Sequence, residues 1–441
     1  DSAAAAPVHA TFGPGRLAEL PPDPTTERIL LLCGATPADI ARQLDVPDED
    51  LLARDDAAQA PTGGPARLAI VAPTKRRLSL ARSVAARGTA WRGRNDLWFT
   101  PAPLLGNAAV AGPRGADGTP GPDRRGTVAF LFCGLEDKFE PRVEDVCAHF
   151  GLPLPGIGDA GGLGQHGVAS VEVGRVLDRA LRILGITPDH FGGHSIGEWN
   201  AMISSGMITD EAADGFIAGF DPNSLQIPGV VFGALGCGAE KAAAAIDGLP
   251  EVVVSHDNCP HQSIICGQEP SVRTALERLR AQGVMGQVLP FQSGFHSPFV
   301  EPYLEPARGG WEQVDLAPVS VPVWSATTVD RYPSDAAEIR ALAIRHLLEP
   351  VRLRELIQRL HAEGVRVFVQ VGVGSVAGFV DDTLPGTDFL TVVTNTPKRS
   401  GLDQLRRVCA ALWTEGAAPR FDRLPCVHRA TAPANAAAAV P

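Results

Sequence analysis

The sequence lacks several features that would each have assigned it to a class of protein. No apolar run is long enough to cross a bilayer, so no membrane helix is expected. The opening Asp1-Ser2-Ala3 supplies neither a basic stretch nor an apolar one, so no secretory signal is read there. The chain reads instead as a piece cut from a longer polypeptide. The eight cysteines (33, 133, 147, 237, 259, 266, 409 and 426) form no Cys-x-x-Cys pair and no dense framework. In a chain of this size they read as reduced thiols of a cytosolic protein. With a net charge of −11 the chain has no surplus of positive charge for a nucleic-acid partner. Only Lys75, Lys138, Lys241 and Lys398 are lysines, a compositional bias rather than a functional sign. No internal repeat is present.

What is there is the composition of a soluble globular protein, 44% hydrophobic and 20% charged. At 441 residues the chain is too long for one core, and two or three packed units are expected. Residues 1–26, rich in Ala and Pro, read as a flexible tail. A first strand falls on Ile29–Cys33, a helix begins at Thr36-Pro37 with Thr36 as its cap, a second strand covers 67–71 and a helix covers 75–87. This small α/β unit, 27–120, ends in a Gly-, Pro- and Asp-rich linker at 111–126. The continuous apolar run Thr127–Cys133 opens a second unit as a buried strand. Val176, Leu177, Ala180, Leu181 and Leu184 form a helical stripe, and further helix is expected to about Phe220. From 230 to 290 the pattern strand, helix, strand, helix, strand, with strands near 230–235, 252–255 with 263–266, and 286–290, marks a small α+β insertion. Strands at 321–325, 367–371 and 390–393 and a helix at 351–362 resume the alternation. The segment 418–441 reads as a second tail.

Chemistry is concentrated in two places. Gly193-His194-Ser195-Ile196-Gly197 holds a Gly-x-Ser-x-Gly pattern, whose glycines permit the sharp strand-to-helix turn that lifts a serine hydroxyl into the open. The helix that follows aims its first amides at that hydroxyl and favours a developing oxyanion. Alone, the pattern is unspecific. The second place is the loop Gln292-Ser293-Gly294-Phe295-His296-Ser297-Pro298, beyond the insertion, where a histidine could face the serine across a cleft. His256, Cys259 and His261 lie close in sequence, but no second ligand pair follows at zinc spacing, so no metal is expected.

Together these segments resemble the acyltransferase domain of type I polyketide and fatty-acid (PUFA-type) synthases and the free-standing malonyl-CoA:acyl-carrier-protein transacylases. Asn258-Cys259-Pro260, His346-Leu347-Leu348-Glu349-Pro350-Val351 and Val371-Gly372-Val373-Gly374-Ser375 are similar to further motifs of that family, in the same order. The resemblance covers roughly 127–415, and the preceding unit looks like the linker domain that joins a ketosynthase to such an acyltransferase. It implies an α/β fold: a hydrolase-like body with a parallel sheet (127–229 and 291–417), an inserted ferredoxin-like α+β subdomain (230–290) and the small N-terminal α/β linker domain. It implies a Ser195–His296 dyad without a buried carboxylate, in which Ser195 takes the acyl group and His296 moves the proton. The His346 main-chain carbonyl would orient His296, whatever the side chain there. The backbone N–H groups of Leu135 and Ile196 would form the oxyanion hole, and Phe220, Phe295, Asn258 and His194 would surround the substrate pocket. The implied partners are an acyl-CoA, an acyl carrier protein that brings its own phosphopantetheine, and a ketosynthase in the same polypeptide. No cofactor is implied.

Two departures from the family bear on function. Where the family carries Gly-Gln-Gly-Ser-Gln after its first body strand, this chain has Gly134-Leu135-Glu136-Asp137-Lys138, which limits the turn to conformations a side chain tolerates. Where malonyl-type members hold the free carboxylate with an arginine, alignment from Gly206-Met207-Ile208 places Phe220, and no arginine occurs between Arg182 and Arg273. A buried carboxylate without a partner is costly, so the acyl group is expected to lack one. Ile196 and Phe295 match the class that takes unbranched units. The alternatives are a malonyl-specific enzyme with another carboxylate partner, an editing thioester hydrolase of the same fold and an inactive scaffold. A lipase-like esterase would want an acid between the serine and the histidine in chain order.

Overall fold

A computed structural model describes residues 26–57, 59–106, 125–136, 138–156, 163–219, 226–290, 292–386 and 388–425. The N-terminal unit comprises β1 (Ile29–Gly34), α1 (Pro37–Leu44), α2 (Asp48–Leu52), β2 (Ala66–Val71), α3 (Lys75–Arg87), β3 (Trp91–Arg92) and β4 (Leu97–Thr100). Its strands form an antiparallel sheet in the order β1-β2-β4-β3. Helix α1 starts where the sequence predicts: the Thr36 hydroxyl accepts from the Asp39 N–H, the Asp39 carboxylate accepts from the Thr36 N–H, and Pro37 occupies the first turn. The linker expected at 111–126 lies mostly outside the described residues, as does the tail expected at 1–26.

The body begins with β5 (Thr127–Phe132), α4 (Glu144–Phe150), α5 (Leu163–Ile183), β6 (His190–Gly193), α6 (Ile196–Ser205) and α7 (Asp210–Gly219). The further helix expected to about 220 is present as two helices: Gly206, in the left-handed conformation at φ 80°, closes α6, and the next helix starts at Asp210. The inserted subdomain follows as β7 (Val230–Leu235), α8 (Ala239–Ile246), β8 (Val252–Cys259), β9 (Gln262–Gln268), α9 (Glu269–Arg280) and β10 (Gly286–Val288). Its antiparallel order β10-β7-β9-β8, with two helices, is the ferredoxin-like arrangement. The chain returns to the body with α10 (Glu305–Gln313), β11 (Trp324–Ser325), β12 (Asp330–Arg331), α11 (Ala336–Leu348), α12 (Leu353–Ala362), β13 (Val365–Val371), α13 (Val376–Thr383), β14 (Leu390–Val393) and α14 (Gly401–Thr414).

The body sheet is parallel, in the order β14-β13-β5-β6. Both faces of β5 are covered, which is why it reads as an unbroken apolar run. Val128, Phe130 and Phe132 enter one core with Val173, Leu177 and Leu181 of α5. Ala129, Leu131 and Cys133 enter another with Leu356 and Leu360 of α12 and Val376 of α13. Burying each such phenylalanine contributes about 1.5–3 kcal/mol. Among the described residues the strand expected at 321–325 joins this sheet only by a bridge from Val323 to Phe191. Pro322 has no N–H for a ladder, and Trp324–Ser325 turns away to pair antiparallel with Asp330–Arg331.

Helix α14 ties the two ends of the chain together. One side lies on β2 and β4 of the N-terminal sheet, the other on α4 and β14 of the body. Arg407 on this helix pairs with Asp96 at 2.8 Å and with Glu27, and buried Arg67 donates to the Trp413 carbonyl at 2.7 Å. The tail expected from 418 therefore starts later: Phe421 and Leu424 are buried in the same core. Among the described residues no helix is long and apolar enough to cross a membrane, and the seven described cysteines are free thiols.

Candidate active site

Ser195 occupies the corner between β6 and α6 at φ 55°, ψ −123°. A side chain in that region carries strain of about 1–3 kcal/mol, held by the surrounding structure. The sequence makes the corner possible by withholding side chains around it. A Cβ on Gly193 would come within 2.1 Å of the Gly197 carbonyl carbon, and one on Gly197 within 2.3 Å of the Phe132 carbonyl oxygen. The chain can reverse here only with glycine on both sides of the serine.

His296 reaches the serine from the loop after the inserted subdomain. Ser195 Oγ stands 2.7 Å from His296 Nε2, and His296 Nδ1 stands 2.7 Å from the carbonyl oxygen of His346. A carbonyl only accepts, so Nδ1 carries the proton and Nε2 is free to accept the serine hydrogen. His296 itself has φ 60°, and its N–H is fixed to the Leu347 carbonyl at 2.7 Å. The last turn of α11 thus sets both the angle and the tautomer of the imidazole. Burial first, and then neighbouring His346, hold His296 well below the ordinary histidine range, so the ring is neutral at neutral pH.

Four imidazoles share this region. Ring centroids of His194 and His256 lie 5.3 Å apart, those of His256 and His296 4.8 Å, and those of His296 and His346 4.8 Å. Burial lowers His194 to about 4 and His256 well below the usual range. His194 Nε2 meets Asn258 Oδ1 at 2.8 Å, and Asn258 Nδ2 donates to Gln262 Oε1 at 2.6 Å. Strand β8, which carries His256 and Asn258, is held to the body by paired backbone bonds between Asp257, Val351 and Ser255. The inserted subdomain is thereby locked against the loop that follows α11.

The side chain of His346 was given no role by the sequence, and the structure corrects that. Its Nε2 lies 3.1 Å from the Ser195 carbonyl oxygen, and its Nδ1 lies 2.8 Å from Thr327 Oγ1 and 3.4 Å from Glu198 Oε2. Glu198 is wholly buried and accepts from Ser325 Oγ, the Ala326 N–H and the Tyr332 hydroxyl. His296 itself has no carboxylate partner among the described residues, but a buried carboxylate stands one residue away, against His346.

The Gly193–Glu198 turn and the His296 loop lie within the part of the chain, residues 163–384, that matches the acyl transferase domain family. This chain belongs to that family. Its acyl transferase domain is 32% identical over 202 residues to the malonyl CoA-acyl carrier protein transacylase of Bacillus subtilis (strain 168), covering 44% of this chain and 63% of the relative. It is 29% identical over 283 residues to the polyketide synthase GfsA of Streptomyces halstedii, covering 62% of this chain and 4% of that protein. The chain therefore spans less than two thirds of these curated relatives. Among solved structures, the acyltransferase domain from module 8 of the salinomycin polyketide synthase superposes with a TM-score of 0.68 at 15% identity, covering 90% of this chain and 98% of the other. At that identity the likeness concerns the fold, and it extends over the N-terminal unit as well as the body.

The remaining predicted residues fall as follows. Leu135 and Ile196 are neighbours: a Cβ on Gly167 of α5 would lie 3.1 Å from Ile196 Cδ1 and 3.9 Å from Leu135 Cδ2. Among the described residues neither backbone N–H has an acceptor, as donors reserved for an oxyanion would be. Phe295 stands beside His296, with ring centroids 6.4 Å apart. His194 and Asn258, expected at the pocket, are buried and bonded to each other, so they brace the serine corner. Phe220 lies outside the described residues. Sequence reasoning missed His256, which it weighed only as a metal ligand, and Glu198, which it quoted within the motif without a role. The signal for both was the presence of a buried-type segment around a polar residue, but only the fold brings them to His296 and His346.

Proposed function

We propose that this domain transfers an acyl group from a coenzyme A thioester to the phosphopantetheine thiol of an acyl carrier protein through an ester on Ser195. The observation that carries the reading is the 2.7 Å approach of Ser195 Oγ to a His296 Nε2 left unprotonated by the His346 carbonyl. In the first half-reaction Ser195 Oγ attacks the thioester carbonyl, its proton passes to His296 Nε2, and the Leu135 and Ile196 amides meet the developing oxyanion. Collapse forms the ester and breaks the carbon–sulfur bond, and His296 returns the proton to the departing thiolate. In the second, the carrier thiol gives its proton to His296 and attacks the ester, the carbon–oxygen bond breaks, and His296 returns the proton to Ser195 Oγ. The first half-reaction exchanges a thioester for an ester and the second reverses that exchange, so the reading needs no metal or redox cofactor.

The same reading takes the acyl group to be unbranched and without a free carboxylate. The arginines of α5 nearest to α7 support this: Arg175 pairs with Asp210 and Asp214, and Arg179 pairs with Asp210. It also places the domain in a larger cytosolic synthase, next to a ketosynthase, with the N-terminal unit as linker. Intact-mass spectrometry after incubation with a panel of acyl-CoAs, followed by a chase with holo acyl carrier protein, tests it. An acyl adduct lost in Ser195→Ala, and discharged onto the carrier, is expected. Discharge only to free acid would replace transfer by hydrolysis, and an undiminished adduct on Ser195→Ala would remove the serine from the mechanism.

A further inference from the structure

We propose that the imidazole of His346 is a positioning residue that holds the nucleophile's own peptide group, while its backbone carbonyl holds the base. This rests on the acyl-Ser195 reading above and goes beyond it, because the role there belongs to the carbonyl alone. The Ser195 carbonyl oxygen accepts two bonds: one from the Glu198 N–H at 2.9 Å and one from His346 Nε2 at 3.1 Å. A carbonyl cannot donate, so Nε2 carries a hydrogen. The other ring nitrogen is fixed by Thr327 Oγ1 at 2.8 Å, with Glu198 Oε2 at 3.4 Å.

Glu198 in turn is held by Ser325, Ala326 and Tyr332, none of which lies on α11. The ring therefore cannot turn without breaking a bond at either end, and it is almost completely enclosed, at 1% exposure. What it holds is the peptide that follows the strained φ 55° of Ser195, the backbone rotation that aims Oγ. From the other side of the same residue, the His346 carbonyl holds His296 Nδ1 at 2.7 Å. One residue of α11 thus sets the serine and the histidine against each other. A side chain shorter than imidazole keeps the second function and loses the first.

That difference gives the test. A glutamine amide nitrogen lies as many bonds from Cβ as imidazole Nε2 does, whereas an asparagine amide reaches only as far as Nδ1. His346→Asn and His346→Gln are compared with the full chain for the rate of Ser195 labelling by a fluorophosphonate, which reads the hydroxyl whatever the natural acyl group. Thermal midpoints are measured alongside. Misplacement of a reacting atom by an ångström costs up to about 100-fold, so His346→Asn is expected to label roughly 10-fold or more slowly. His346→Gln should recover most of the rate.

Labelling of folded His346→Asn at the wild-type rate overturns the proposal. So does equal slowing in both variants at wild-type thermal midpoints. Independent of any variant's stability, the ¹⁵N resonances of His346 in ¹⁵N-histidine-labelled wild type should show Nε2 protonated at pH 7.5, and an unprotonated Nε2 overturns it as well. Ser195→Ala separates the two readings. If that variant still labels, the acyl-serine reading fails. If it is silent while His346→Asn labels normally, only the positioning role fails.

Discussion

The Glu136 carboxylate accepts the backbone N–H of Ser375 at 2.7 Å and its hydroxyl at 3.1 Å. The first of these residues follows Leu135 in the loop after β5, and the second caps the start of α13. The bond gives the side chain at position 136 a fixed place in the loop. Glu136 is not among the residues with positive φ, so the turn no longer needs glycine's conformational freedom. The carboxylate instead anchors the loop to a helix N-terminus, where a negative charge is favoured. Gly374 leaves the room for it, since a Cβ there would lie 2.7 Å from Glu136 Oε1.

Removing this anchor should therefore be felt twice. Glu136→Ala is expected to lower the unfolding free energy by about 0.5–2 kcal/mol, the usual cost of a lost helix cap. It should also slow Ser195 acylation by roughly 3- to 10-fold, short of the roughly 100-fold that follows outright loss of an oxyanion donor. Denaturant unfolding and intact-mass acylation kinetics read the two effects. Unchanged values of both would mean that the loop is held by other contacts.

The features legible in the sequence are those that neighbours in the chain determine. Thr36, Pro37 and Asp39 make their cap among themselves, and the run Val128–Phe132 is apolar because both faces of the sheet are covered. The glycines around Ser195 announce the corner for a local steric reason. What could not be read depends on residues far apart. Pro322, which keeps 321–325 out of the ladder, acts only against a neighbouring strand. Phe421 and Leu424 are buried because α14 carries the chain back onto the N-terminal sheet. His346 looked interchangeable because its carbonyl does the recognised work. Its ring acquires a role only when Ser195, Thr327 and Glu198 converge on it.

The acid side of the pH–rate profile follows from His296. Burial holds its imidazole well below the usual histidine range, and only the neutral ring can accept the serine proton. Acylation should thus persist unchanged through pH 6.5, where an ordinary histidine would be half protonated, and decline only at lower pH. Single-turnover acylation rates from pH 5 to 8 check this. A half-maximal rate at or above pH 6.5 would contradict a buried base.

The same burial makes stability depend on pH, with a definite sign. His194, His256 and His296 all have folded values below the unfolded one of about 6.5. Between the two values the unfolded chain binds more protons than the folded one, so stability rises with pH there. The contribution is complete above about pH 6.5 and is lost as pH falls toward the folded values, by up to about 1.4 kcal/mol per pH unit for each ring. Urea unfolding from pH 7.5 down to 5 should show the decline, and His256→Phe should make it shallower. A slope unaffected by that substitution would show that His256 is not buried as a neutral ring.

The acyl group is the most specific question that the sequence poses to experiment. On the proposed reading Phe220 stands where malonyl-type members carry a carboxylate-binding arginine, and no arginine occurs between Arg182 and Arg273. Three arginines of α5 are already paired: Arg175 with Asp210 and Asp214, Arg179 with Asp210, and Arg182 with Asp178. A carboxylate entering such a site leaves water without gaining a cation, which costs several kcal/mol. A methyl or short alkyl end instead gains about 0.8 kcal/mol per buried CH₂. Acetyl-CoA, or another short unbranched acyl-CoA, should therefore load Ser195 faster than malonyl-CoA. Phe220→Arg should raise malonyl loading by about 10- to 100-fold, the worth of a charge-assisted hydrogen bond of about 1.5–3 kcal/mol. Acylation rates with acetyl-CoA and malonyl-CoA in wild type and in Phe220→Arg decide the matter. A strong wild-type preference for malonyl would mean that a cation elsewhere in the fold holds the carboxylate, and the argument from Phe220 would fall.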